Sequence, residues 1–272
     1  MRQSAKILSP TIFLGLYGSI DMHPWIDPRM LADVDLYGLV VERATAMGWT
    51  WTTLDGPTTV LWGMNDGDQD WTGRSPTARI AWLQVTAPLA ETSVYVKRTL
   101  PVQPLLSCVH DSVSRVGRLS MTAAQLLLPI QASGSAEAEL MTTVNWFRTC
   151  DPGGRTRIHV TLDTGEGDGL RPVADDLLRV VQERNTGSFT FRAFSFEESV
   201  ALDPNPPVAT HDAWRGKDRA PVTFEATVPE WSVDAVGWLV TLFADACRHV
   251  WVDTSVLITV ARVAVEPADA PV

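Results

Sequence analysis

The sequence is poor in lysine and rich in acidic side chains. Its 272 residues include only 3 lysines, and 22 Lys and Arg residues together stand against 32 Asp and Glu residues, a formal net charge of −10 at pH 7. Proteins bind nucleic acids and anionic membranes through clustered cationic side chains, which this balance disfavours. We therefore predict no nucleic-acid or membrane partner, and we favour another protein with a basic surface, or a cationic ligand.

Cysteine is also scarce. Cys108, Cys150 and Cys247 are far apart and odd in number, which fits neither a disulfide framework nor a Cys-rich zinc site. Two of the three fall on predicted helix faces. We expect these to be buried thiols that pack as small apolar groups.

The sequence has no internal apolar run approaching the ~20 residues that span a bilayer. Residues 1–20 faintly resemble a signal peptide, with two early cations before an apolar stretch, but Pro10 interrupts the stretch and no small-x-small cleavage site follows. We therefore interpret residues 11–17 as a first strand and expect a cytoplasmic protein.

The common catalytic motifs are missing as well. There is no G-x-S-x-G, no Walker loop, no G-x-G-x-x-G opening a helix and no H-E-x-x-H. The 5 histidines are scattered, and Cys247-x-His249 has no second pair nearby to complete a metal site. A standard hydrolase, kinase or dehydrogenase is not expected, and no cofactor is predicted.

The clearest pattern that is present covers residues 222–263. Apolar residues alternate with polar ones over 222–228, which predicts a strand with one buried face. Thr227 to Glu230 then fits a capping box, and a broad apolar stripe predicts a helix to about Arg248. Residues 254–263 are β-branched and mostly apolar, as in a buried strand.

Weaker versions of this strand–helix–strand unit recur upstream. Strands are predicted at 11–17, around Trp49 and Trp51, and at 80–85, 118–128, 158–162 and 188–194, with helices from Pro28 to Gly48 and at 102–116 and 172–183. The resulting order, β-α-β-β-α-β twice, is that of a ferredoxin-like domain. A strand predicted at 140–147 is left over, as a hairpin partner for 158–162.

These elements predict an α+β fold of two tandem ferredoxin-like halves, with antiparallel sheets and helices on one face. The halves are residues 1–130 and 138–272, and the linker is 131–137. One larger mixed sheet covered by four helices is the alternative.

Function is expected in three poorly patterned loops, 63–77, 163–169 and 197–220. In the second loop Asp163 follows a predicted strand, and with Glu166 and Asp168 it could hold a magnesium ion that carries a nucleotide phosphate. This resembles nucleotide cyclases and palm-type polymerases, which have an Asp at the end of the first strand of a related core. The paired-acid hairpin of those enzymes is not found here, and an ordinary glycine-rich turn is the alternative.

The other two loops offer contact residues. Residues 65–70 are spaced like the start of an EF-hand loop, but Trp71 stands in place of its glycine and Thr77 in place of its glutamate, so we predict an exposed acidic hairpin. Trp71 is a candidate contact residue there. In the third loop the candidate binding residues are clustered: His211, Trp214, Arg215 and Lys217.

The favoured function is a non-catalytic acidic protein-binding factor, such as an immunity or antitoxin-like protein or an accessory subunit of a bacterial conflict system. The alternative is an enzyme or small-ligand binder on a tandem ferredoxin-like scaffold. That scaffold is similar to dimeric α+β barrel proteins, or to the palm-like, magnesium-dependent nucleotide enzymes.

Overall fold

The computed structural model describes residues 10–50, 60–87, 99–165, 167–185, 187–198, 202 and 219–263. These residues form an eight-stranded antiparallel sheet and five α-helices. The predicted α+β class is confirmed. The prediction of more than one sheet is wrong, because all eight strands belong to a single sheet.

The first half of the chain supplies four adjacent strands, from one edge of the sheet to its middle. Its elements are β1 (Thr11–Met22), α1 (Leu36–Ala46), β2 (Gly63–Gln69), β3 (Arg79–Thr86), α2 (Val102–Val116) and β4 (Gly117–Pro129). Across the sheet these strands are ordered β2-β3-β1-β4, which places β2 at an outer edge.

The second half supplies the four strands from the middle to the other edge. Its elements are α3 (Glu137–Thr143), β5 (Thr156–Asp163), α4 (Ala174–Arg184), β6 (Thr190–Ser195), β7 (Val222–Val228), α5 (Val233–His249) and β8 (Ser255–Arg262). These strands continue the sheet in the order β8-β5-β7-β6. The halves are joined where β4 pairs with β8, from Ala123 opposite Ala261 to Pro129 opposite Ser255.

All five helices pack on one face of the sheet. A single apolar cluster unites buried residues of every helix with inward residues such as Leu14 of β1 and Ile258 of β8. Helix α5 contacts α2, α3 and α4, and its Leu239 and Phe243 are fully buried. Each such side chain contributes about 1.5–3 kcal/mol to folding. None of the described helices is long and apolar enough to cross a membrane.

The centre of the opposite face of the sheet is buried too. Phe13, Leu127 and Leu257 form a small apolar cluster there. Beside it Tyr17 packs with alanines of β4 and β8 and with Leu202. Leu202 belongs to the connection between β6 and β7, so part of that connection lies over this face.

The helix predicted to begin at Pro28 is divided in two. Asp27 caps a short 3-10 helix, Pro28–Asp33, by accepting from the Arg29 amide at 2.9 Å. Asp35 then caps α1 by accepting from the Tyr37 and Gly38 amides. Two successive aspartate caps therefore restart the helix. Gly48 has a φ of 69°, which confirms the predicted left-handed end of α1.

Residues 65–69 of the predicted exposed acidic hairpin belong to β2, a mostly exposed strand that forms an antiparallel hairpin with β3. Its residues pair with β3 from Gly63 opposite Thr86 to Gln69 opposite Ala81. The strand predicted around Trp49 is wrong at that residue, which lies in the bend after α1. Trp51 lies outside the described residues.

The strand predicted at 140–147 is wrong: these residues are helical. They belong to α3 and a following 3-10 helix, Val144–Thr149. Leu140, Val144 and Phe147 are buried at intervals of four and three residues, which is helical spacing. The capping box predicted at Thr227–Glu230 is also wrong. Residue 228 is still in β7, and Ser232 caps α5 by accepting from the Ala235 amide at 3.2 Å.

The segment predicted as a linker, 131–137, is tied to α5. The Ala136 amide donates to Asp245 Oδ1 at 3.0 Å, and this carboxylate is 2% exposed. Asp245 also pairs with Arg184 of α4 and with Arg248. Burial lowers the pKa of Arg184. The crossing between the two halves is therefore held by charged groups at the end of α5.

Candidate functional site

A groove opens on the helical side of the molecule, where α3 and the 3-10 helix after it meet the first turns of α2 and α5. Its volume is about 520 Å³, within the ~300–1,000 Å³ range of small-ligand pockets. Ten of the described residues line it: Gln103, Glu139, Leu140, Thr142, Thr143, Trp146, Phe147, Asp234, Trp238 and Thr241.

The floor of the groove is aromatic and rigid. Trp238 of α5 stacks on Phe189, with ring centroids 4.3 Å apart, and Phe147 meets the edges of both rings. The Trp238 indole nitrogen also donates to the Leu140 carbonyl at 3.3 Å. Since the buried faces of α3 and α5 fix these rings, the floor is formed before any ligand arrives.

Trp146 forms the outer wall. The 3-10 helix that carries it buries Val144 and Phe147, which leaves the intervening Trp146 side chain 64% exposed. Met141, one turn earlier, is 48% exposed. Tryptophan is over-represented among residues that dominate binding energy at protein interfaces. An exposed Trp beside an aromatic floor is therefore a candidate recognition surface.

The charges of the groove are of one sign. Glu139 and Asp234 are the charged residues among the ten that line it, and both are acidic. Asp234 Oδ1 accepts from Gln103 Nε2 at 2.7 Å. A Cβ atom at Gly237 would clash with Gln103 Oε1, so this glycine lets the Gln103 amide reach Asp234. The groove carries a negative potential that favours cationic ligands.

The structure places the predicted Asp163 at the end of β5, with 2% of its surface exposed. Its Oδ2 atom pairs with Arg219 Nε at 2.9 Å, and its Oδ1 atom accepts from the Gly165 amide at 2.7 Å. Arg219 also donates to both carboxylate oxygens of Glu198. Burial alone would lower the pKa of Arg219, but the two acidic partners raise it overall. The predicted loops 163–169 and 197–220 therefore meet at this ion-pair cluster.

This cluster does not support the predicted magnesium site. The cationic Arg219 occupies the position next to Asp163 that a metal ion would need. Asp168 is exposed, and Glu166 lies outside the described residues. In the described part of the chain, no three or more His, Cys, Asp or Glu side chains are grouped so that they could hold a metal. Asp163 forms an ion pair with Arg219, and the magnesium site stays a prediction.

Of the predicted contact residues, Trp71 is the one that the structure describes. Trp71 is 5% exposed, and its indole donates to the Val34 carbonyl at 2.8 Å, so its side chain is used in packing. The contact role of Trp71 stays a prediction, which this burial does not favour. The cluster of His211, Trp214, Arg215 and Lys217 lies outside the described residues.

A second polar feature crosses the buried face of the sheet away from the helices. Gln125, Thr259, Thr161 and Thr223 stand opposite one another on β4, β8, β5 and β7. Gln125 accepts from the Tyr17 hydroxyl at 3.1 Å and donates to Thr259 at 3.3 Å, and the hydroxyls of Thr161 and Thr223 are 2.9 Å apart. Such a polar row in an apolar setting is stable only because its groups bond to one another.

The sequence reasoning missed Trp146 and Trp238 as site residues. Trp238 falls on the predicted apolar stripe of α5, which conceals its second role. The available signal for Trp146 is the spacing of residues 140, 144 and 147. Read as a helix, that spacing leaves Trp146 on the exposed side.

Comparisons of the chain with protein-family models, with curated proteins and with solved structures find no match.

Proposed function

We propose that the chain is a non-catalytic acidic factor that binds another protein, and that a basic segment of this partner docks in the groove beside Trp146. The supporting observation is the exposed Trp146 side chain next to an aromatic floor, with two acidic residues as the charged groups among the described lining residues. A Trp anchor supplies affinity, and charge complementarity supplies specificity and fast association.

The state of the reactive groups also favours binding over catalysis. Burial raises the pKa of Cys108 and of Cys247 to about 12, so neither forms the thiolate that a nucleophile requires. Asp163 is held by Arg219. In the described residues these groups serve packing and ion pairing.

The charge of the whole chain fits the same role. A net charge of −10 attracts a basic partner over a range set by salt, about 10 Å at 0.1 M. Masking a basic effector, as immunity or antitoxin-like proteins do in bacterial conflict systems, would use both the net charge and the groove. An accessory subunit that holds a basic protein would use them in the same way.

The proposal is tested with a short amphipathic peptide of leucine and lysine, and with a second peptide in which glutamate replaces lysine. Calorimetry at low salt should detect binding of the lysine peptide only. Trp146→Ala should weaken that binding about thirtyfold, the effect of losing a 2 kcal/mol hot spot.

The matched control is Trp25→Ala, since Trp25 is 72% exposed and stacks on His23 instead of lining the groove. It should bind the lysine peptide as the unmodified protein does. Equal binding to Trp146→Ala, or no binding of the lysine peptide to the unmodified protein, would refute the proposal.

The polar row on the second sheet face supports a different candidate, a binder of a small polar ligand. Gln84 adds to it, because this side chain is 5% exposed and its Oε1 atom has no hydrogen-bond partner among the described residues. A native mass spectrum of the purified protein tests this candidate. A bound small molecule that is lost in Gln125→Leu would favour it, whereas a spectrum of the bare chain would count against it.

We also infer that the scaffold consists of two ferredoxin-like copies. The support is that the strands of the two halves follow equivalent orders, β2-β3-β1-β4 and β6-β7-β5-β8, and that the last strand of each half lies at the junction. An experimental structure in which residues 11–129 fail to superpose on residues 156–262 would exclude the duplication.

A further inference from the structure

We infer that the groove selects a guanidinium or ammonium group on an apolar stem, as in an arginine or lysine side chain of the partner. This rests on the proposed function and specifies the chemistry that the groove recognises. The reason is that most side-chain hydrogen-bond donors of the described lining residues are already used within the protein, whereas the carboxylates of Glu139 and Asp234 can still accept bonds.

The threonine hydroxyl groups of the lining already donate their protons in hydrogen bonds within the protein. Thr142 donates to the Ala138 carbonyl at 2.9 Å, and Thr143 donates to the Glu139 carbonyl at 2.8 Å. On the opposite wall, Thr241 donates to the Gly237 carbonyl at 2.8 Å. A hydroxyl has one proton, so each of these oxygens can only accept a bond from a ligand.

The nitrogen donors of the floor are engaged in the same way. Trp238 Nε1 donates to the Leu140 carbonyl at 3.3 Å. Gln103 Nε2 donates to Asp234 Oδ1 at 2.7 Å. The first bond joins α5 to α3 and the second joins α2 to α5, so a ligand that took these donors over would have to break contacts inside the protein.

Two of the remaining polar groups of the described lining are carboxylates, which accept hydrogen bonds and carry negative charge. Glu139 is exposed, and Asp234 is partly buried with its Oδ2 atom outside the bond to Gln103. A cationic donor would form charge-assisted hydrogen bonds with these carboxylates, which are roughly twice as strong as neutral ones. An anionic ligand would meet two like charges and few donors.

The aromatic residues of the groove provide an apolar surface for the stem of the ligand. Trp146, Trp238 and Phe147 line the groove together with Leu140, and such surfaces bury the methylene groups of long cationic side chains. Their ring faces also attract a cation, by about 0.5–2 kcal/mol. The groove therefore combines an apolar channel for a stem with an acceptor rim for its head.

Four small probes separate these contributions: n-butylguanidinium, n-butylammonium, n-butyltrimethylammonium and hexanoate. The trimethylammonium ion keeps the charge and the stem but has no N–H donor. Binding is followed by the NMR signal of the Trp146 indole N–H, which Trp146→Phe identifies. We expect both N–H cations to bind at least fivefold more tightly than n-butyltrimethylammonium, and hexanoate to cause no shift.

Variants then assign the acceptors. Asp234→Asn and Glu139→Gln should each weaken butylguanidinium about threefold or more, whereas Asp253→Asn, an exposed acid that is not part of the lining, should not. Equal affinity for n-butyltrimethylammonium and n-butylguanidinium would overturn the inference, because donors would then be irrelevant. So would unchanged binding in both groove variants.

The lysine peptide keeps this inference distinct from the proposed function. If the peptide binds and needs Trp146, but the small probes show no preference for N–H donors, only the inference fails. If the peptide does not bind either, both fail. Circular dichroism of each variant confirms that it is folded before its affinity is compared.

Discussion

Asp163, at the end of β5, and Arg219, just before β7, form an ion pair with 2.9 Å between Oδ2 and Nε. Arg219 also binds Glu198, which follows β6. One guanidinium group thus fastens both ends of the connection between β6 and β7 to the sheet. Because Asp163 is 2% exposed, the pair is a structural fastening that the fold depends on.

Asp163→Asn should therefore destabilise the protein. Breaking a buried ion pair costs about 3–5 kcal/mol. We expect about 1–3 kcal/mol here, because Arg219 is partly exposed and keeps Glu198. Glu198→Gln, at a more exposed partner, should cost about 0–1 kcal/mol. Urea unfolding measures both. An equal loss in the two variants would contradict this account.

His159 makes stability depend on pH. Burial lowers its pKa below the ordinary 6.5, outweighing the opposite influence of Glu225. As the pH falls below about 6.5, His159 is protonated in the unfolded chain before it is protonated in the folded protein. The free energy of unfolding therefore decreases as the pH falls from about 6.5 to the folded-state pKa, and this contribution stops changing below it. The loss in urea midpoint between pH 7.5 and pH 5.5 should shrink in His159→Gln. An unchanged loss would show that other groups control it.

The three thiols should differ in reactivity. Cys108 and Cys247 are buried with pKa values of about 12. Burial and a hydrogen bond to Glu230 raise the pKa of Cys150, which is only partly buried. Iodoacetamide at pH 8 should modify the folded protein slowly and at Cys150 alone, and all three thiols after unfolding. Mass spectrometry identifies the sites. Fast modification of Cys108 in native buffer would contradict its placement.

The outer edge of β2 should resist self-association. Asp66 accepts from the Gly67 amide at 2.9 Å and Asp68 from the Gln69 amide at 2.8 Å. These carboxylates occupy donors of an edge strand that another strand would otherwise pair with. The double variant Asp66→Ala, Asp68→Ala should form dimers or larger species in sedimentation velocity. Asp33→Ala with Asp253→Ala removes the same charge elsewhere and should not.

Much of the fold could be predicted from apolar periodicity. Helix α2 is confirmed from Val102 to Val116, and β3, β4, β5 and β8 lie within a few residues of their predicted positions. These segments are long or strongly patterned, and their local preferences agree with their burial. Where the pattern was short, at residues 140–147, a helical segment was mistaken for a strand because branched and aromatic residues favour both readings.

The groove could not be predicted, because its parts are distant in the sequence. Gln103 and Asp234 are 131 residues apart, and their contact follows from the crossing of α2 and α5, which periodicity does not specify. The ion pair of Asp163 was likewise hidden. The sequence indicates Asp163 as a candidate metal ligand at a strand end. An arginine 56 residues later cannot be identified as its partner from spacing alone.

The pairing of β4 with β8 has a consequence for how the chain matures on the ribosome. Strand β4 ends at Pro129, whereas its neighbour β8 begins at Ser255. During synthesis at about 5–20 residues per second, the ~125 residues between them take several seconds or more to emerge. Throughout that interval the backbone groups along this edge of β4 have no strand to pair with, so the nascent chain is exposed to chaperones and to premature pairing until β8 is made.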